Sequence, residues 1–135
     1  MSDERTATIE AFFDAWNSRE LESALELIDE DFEYVNPPNA VEPGTRRGTD
    51  GITDVMSQQW EALGDDARLE IDRLHHREDH VIAESRLSRG MPGSDARLEV
   101  RALMRWTFEG GRLVRMEVLG AGSSYGDALA EANLS

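Results

Sequence analysis

The chain predicts an α+β domain in which helices cover one face of a curved sheet, and three observations lead there. The first half carries apolar residues at helical spacing, the second half carries them at alternate positions, and the runs of the second half are separated by short turns. With 135 residues and no marked shift in composition, residues 1–135 are expected to form a single domain around one core.

Ile9, Phe12, Phe13 and Trp16 recur on one face of a first helix with an aromatic stripe. Asn17-Ser18 are natural capping residues, and Leu21, Ala24, Leu25 and Ile28 form the stripe of a second, shorter helix. Phe32, Tyr34 and Asn36 then alternate with Glu33 and Val35, which suits a short strand. Pro37 and Pro38 end it, and with Gly44 and Gly48 nearby, residues 37–48 are expected to be loop. A third helix follows Thr49 or Asp50 as cap, carries Ile52, Val55, Met56, Trp60 and Leu63 on one side, and stops at Gly64.

Four strands follow, at about 67–76, 80–90, 95–109 and 112–119, and a short helix over roughly 124–132 closes the chain. The longest strand places Leu98, Val100, Ala102, Met104, Trp106 and Phe108 on a core-like face. A three-residue loop ending in a left-handed Gly111 would pair Trp106 with Val114, Met104 with Met116 and Ala102 with Val118, gathering the apolar residues on one side. By the same reasoning, a three-residue turn at Glu78-Asp79 puts Leu69, Ile71 and Val81 inside and pairs Glu70 with Arg86 outside. A slip of one residue would instead turn Arg73, Glu84 and Arg86 into the interior, where an Arg–Glu pair could do acid–base work of the epoxide hydrolase kind.

Composition narrows the function. Acidic residues outnumber basic ones by 28 to 14, so a phosphate backbone would be repelled and nucleic acid is not an expected partner. All basic residues are arginine, as coding bias or salt adaptation would give. The absence of cysteine removes disulfides, thiolate metal sites and thiol nucleophiles. No apolar run approaches membrane-spanning length and the N-terminus is acidic, so no membrane partner and a cytoplasmic location are expected.

The segments FFDAWNSRELESALELIDEDFEYVNPP, RRGTDGITDVM and RWTFEGGRLVRMEVL, with GDALAEANLS behind them, resemble in their order and spacing the nuclear transport factor 2 superfamily. The likeness is to its SnoaL-like polyketide cyclase and ketosteroid isomerase-like branch, and spans nearly the whole chain. It implies a cone-shaped half-open barrel of cystatin-like architecture, three N-terminal helices on a curved, mostly antiparallel sheet, with an apolar pocket and often a homodimer through the sheet's outer face. Phe12, Trp16, Met56, Trp60, Met104, Trp106 and Met116 would wall that pocket as ligand-binding residues, or simply fill a core.

The resemblance also assigns polar positions. Asn36 stands where ketosteroid isomerase-like members carry the aspartate base, and a carboxamide cannot accept a proton at neutral pH. Phe12 and Met104 fall on the oxyanion-binding positions, so isomerisation by that route is not expected. The candidate catalytic residues are therefore Tyr34 and Asn36, which leave the strand on one face and could hydrogen-bond a carbonyl.

His75, His76 and His80 flank a turn and no metal is expected. Arg46 and Arg47 are expected to meet acidic groups of the chain, or a ligand anion at the pocket's mouth. The long proline-bearing loop is expected to cross the open end as a lid, hinged at Asn36. Two functions remain open: a cofactor-independent isomerase, cyclase or hydrolase acting on a small apolar molecule, and a non-catalytic ligand-binding or dimerisation module.

Overall fold

Ile9, Phe12, Phe13, Ala15 and Trp16 are all buried, and they make one face of the first helix, α1 (Glu4–Ser18). In the computed structural model, which describes residues 4–36, 44–91 and 93–134, α1 ends with Arg19 at φ 57°. The Glu20 amide then bonds back to Ala15 O at 2.9 Å, the helix-end pattern that usually employs glycine. Arg19 holds that conformation with its guanidinium 5.9 and 5.7 Å from the Trp16 and Trp60 rings and a hydrogen bond to Gly64 O.

The second helix, α2, is shorter than its stripe predicts, spanning Leu21–Leu25; Ile28 instead opens strand β1 (Ile28–Asn36). Asn17 does not cap α2. Its carboxamide reaches the edge of the sheet, where Nδ2 donates to Leu69 O at 2.8 Å and Oδ1 accepts from Leu69 N at 2.7 Å.

Residues 44–47, expected in the loop, form β2 (Gly44–Arg47), antiparallel to β1 with Tyr34 opposite Arg46. The third helix, α3 (Gly48–Leu63), begins directly after β2, one residue before the expected caps, and Gly64 terminates it at φ 87°. The expected lid segment, 37–43 with Pro37 and Pro38, lies outside the described residues.

The remaining strands are β3 (Arg68–His76), β4 (His80–Gly90), β5 (Arg97–Glu109) and β6 (Arg112–Ala121). With β1 and β2 they form one unclosed sheet in the order β2-β1-β6-β5-β4-β3, antiparallel except for the β1–β6 pair. This is the expected α+β cone of cystatin-like layout, with α1 and α3 laid over its inner face.

Both hairpins differ from expectation in the same way. The β5–β6 turn holds two residues, Gly110 and Gly111, both at positive φ (57° and 80°), so Glu109 faces Arg112 and Phe108 faces Leu113. A bulge at Val114 then shifts the register, and Trp106 meets Met116 while Met104 meets Val118. The β3–β4 turn likewise holds two residues, with the Arg77 amide bonded to His80 O at 2.9 Å, and a bulge at Asp72 brings Glu70 opposite Arg86. In each case the tight turn matches the strand twist and the extra residue restores the apolar face.

A last helix, α4 (Tyr125–Glu131), follows a short 3-10 turn over Gly122–Ser124 and packs on the outer face, where the sequence analysis placed no helix. Tyr125 and Ala128 cover Ile82 and Leu103, and Leu103, on the face of β5 opposite the core-like one, is fully buried. The approach is close: a Cβ on Gly120 would lie 2.6 Å from Ala128 Cβ and 2.7 Å from Ser124 O.

Candidate functional site

Under α1 and α3 the inner face of the sheet encloses a cavity of about 400 Å³. Its walls follow from the two periodicities: Phe12 and Trp16 come from α1 one turn apart, Met56 from α3, and Met104, Trp106 and Met116 from facing positions of β5 and β6. Phe12 meets Trp106 edge-on with ring centres 5.3 Å apart, which fixes the indole against the helix. Tyr34 and Asn36 also line the cavity, two residues apart on β1.

Trp60 does not line it. Its indole N–H donates to Trp16 O at 3.0 Å and its ring sits 6.3 Å from that of Trp16, beside the Arg19 guanidinium. It supports the cavity wall from behind, because Trp16 and Gly64 draw the end of α3 toward the α1 terminus. The position nearer the cavity belongs to Gln59, which the apolar periodicity of α3 does not single out. Nothing in an exposed-looking QQW triplet marks which glutamine turns inward.

Gln59 joins the polar groups. Trp16 Nε1 donates to Gln59 Oε1 at 2.9 Å, and Gln59 Nε2 donates to Tyr34 Oη at 3.3 Å. Burial pushes the Tyr34 phenol above its ordinary value, with the Gln59 hydrogen bond offsetting part of the effect. The group is therefore a neutral phenol throughout the physiological range. No carboxylate, imidazole or guanidinium lines the cavity among the described residues. Trp106 Nε1 is buried without a hydrogen-bond partner.

Titratable residues gather instead on the outer face. Glu84 Oε1 accepts from Tyr125 Oη at 3.2 Å and its Oε2 lies 2.5 Å from His75 Nε2. Burial, then the nearby Glu84 charge, raises the Tyr125 pKa. Arg86 is held by Asp72 at 2.7 Å, Glu70 at 2.9 Å and Glu99 at 3.5 Å. Glu84 and Arg86 thus take the outer of the two orientations that the sequence left open. His76 bonds Thr6 Oγ1 and His80 pairs with Asp79, so the three histidines serve separate contacts. Among the described residues no group of three or more potential ligands is placed to hold a metal. Arg47 lies 3.8 Å from Glu33, and no described helix is long and apolar enough to cross a membrane.

Helices over an unclosed curved sheet with an apolar hollow between them define the nuclear transport factor 2-like class. Within it, residues 9–116 match the SnoaL-like domain, and the chain belongs to that family. No curated protein matches the chain.

Similar solved structures include Bal32a, from a soil-derived mobile gene cassette, at 20% identity and TM-score 0.77, covering 90% of this chain and 92% of that one. A protein with a ketosteroid isomerase-like fold from Catenulispora acidiphila has 19% identity and TM-score 0.71, covering 95% and 93%. One named for a proposed polyketide cyclase activity, from Sinorhizobium meliloti, has 18% identity and TM-score 0.69, covering 87% and 99%. At such identities the likeness is one of fold.

Proposed function

We propose that this SnoaL-like domain binds a small, largely apolar molecule in the cavity beneath α1 and α3, without a cofactor. The observation that carries the reading is a hollow of about 400 Å³ whose wall is apolar except for a few neutral hydrogen-bonding groups. That size falls in the range of ligand pockets, from about 300 to 1,000 Å³, whereas a pure dimerisation module would fill its core with the same side chains. Catalysis that starts by removing a proton finds no support in the described lining, since the base's place is held by Asn36 and the only titratable wall residue is a neutral phenol.

Tyr34 and Asn36 remain able to orient or polarise an oxygen of the ligand, which suits a binder and also a cyclase-type reaction whose base the substrate supplies. A homodimer through the outer face would form beside α4, over the charged strip around Arg86.

The reading is tested by calorimetric titration with fused-ring aromatic compounds, using Ala102→Phe to fill the hollow. Ala102 lines the cavity, so the variant should lose binding while remaining folded by circular dichroism. Binding that survives the substitution would place the ligand elsewhere.

A further inference from the structure

The sense of each hydrogen bond at the polar end of the cavity follows from Trp16. An indole N–H only donates, so the atom 2.9 Å away must be the Gln59 carbonyl oxygen. The carboxamide's orientation is then fixed, and its NH₂ faces Tyr34 and donates to the phenol oxygen at 3.3 Å. Tyr34 receives its bond from Gln59 and keeps its own proton to give away. Trp106 Nε1 is also unpartnered, but it is buried on a side chain only 1% exposed and is not presented to the hollow.

Tyr34 and Trp106 share one row of the sheet. Tyr34 pairs with Met116 across β1 and β6, and Met116 pairs with Trp106 across β6 and β5. All three line the cavity, so Tyr34 and Trp106 flank the Met116 thioether on two strands separated by roughly 10 Å.

We propose that Gln59 is a specificity-determining residue that holds Tyr34 as a donor, so that Tyr34 selects a neutral ring compound bearing a carbonyl oxygen. This rests on the binding function above. A hydrocarbon leaves the Tyr34 donor unpaired in an apolar hollow, which is unfavourable. A carboxylate would be buried with no cation in the described lining, and an ammonium would bring a charge and further donors to the Tyr34 donor.

The test compares fluorenone, fluorene and fluorene-9-carboxylate by isothermal titration against the wild-type chain, Gln59→Glu and Tyr34→Phe. In Gln59→Glu the new carboxylate accepts from both Trp16 and Tyr34 and turns the phenol proton away from the cavity. Tyr34→Phe removes the same proton with little change of shape, and serves if Gln59→Glu fails to fold.

Wild type should bind fluorenone about tenfold more tightly than fluorene, one net hydrogen bond's worth, and the carboxylate more weakly than either. The infrared carbonyl stretch of bound fluorenone should move to lower frequency. In both variants the preference for fluorenone should disappear. Equal wild-type affinity for fluorenone and fluorene, or a preference that persists in Tyr34→Phe, overturns the selection mechanism while leaving the binding site in place. If none of the three compounds binds wild type, the binding function falls and this inference with it.

Discussion

The two faces of the sheet alternate along the same strands yet differ in chemistry. On β4, Val81, Ala83 and Ser85 look toward the helices, and Ile82, Glu84 and Arg86 look the other way. Ser85, the one polar residue of the inner set, turns its hydroxyl onto Ala102 O at 3.0 Å. The inner face is left with neutral groups that can hold an oxygen but not carry a charge. The outer face keeps its charges where water and partners screen them, and uses Glu84, itself bonded to His75, to seat the Tyr125 end of α4. The neutral lining and the charged support are thus separated by the thickness of a strand.

The sharpest way to break this comparison is Leu103→Ala. Leu103 is fully buried on the outer face, so truncation should cost about 2–5 kcal/mol in urea unfolding, as for any core leucine. A cost below about 1 kcal/mol would mean that α4 does not shield the outer face. Next is Gly120→Ala, whose added methyl would meet both the Ala128 side chain and the Ser124 backbone. It should cost about 1–3 kcal/mol and raise amide exchange selectively in α4.

Glu84→Gln keeps the shape and removes the charge between His75 and Tyr125, for an expected loss on the order of 1 kcal/mol. Ligand affinity in the cavity should be unchanged, and a shift beyond about twofold, measured by titration, would couple the two faces. Changes of pH should do less still. With no carboxylate or imidazole in the described lining, fluorenone affinity should be flat from about pH 5 to 9. The Tyr34 phenol has a raised pKa, so its contribution to stability is complete below its ordinary value of about 10 and is lost as pH rises through the raised one. Smallest is Leu98→Ala at the exposed start of β5, expected within about 0.5 kcal/mol although it lies on the strand's apolar side.

The sequence made the order of elements, the aromatic face of α1 and the inward set on β5 legible, because each is a periodic pattern several residues long. The hairpins show what a period cannot carry. Pairing the apolar residues led to three-residue turns, whereas the chain uses two-residue turns and a bulge at Val114 or Asp72. Either device aligns the apolar faces, and a pattern of apolar positions does not distinguish them. The places of Trp60 and Gln59 are illegible for a related reason. Both occupy the last turns of α3, where the pull of Trp16 and Arg19 decides which side chain faces the hollow. The outer docking of α4 was hidden because Leu103 stands alone among Arg101, Arg105 and Thr107.

The Asn17 carboxamide, bonded to both backbone groups of Leu69, imitates one rung of a neighbouring chain on the exposed margin of β3. With Thr6 on His76 and Arg5 on Arg77 O, it places α1 along the flank where a foreign polypeptide would add itself. The helix that walls the hollow therefore also occupies backbone groups on the β3 margin that an added strand would need.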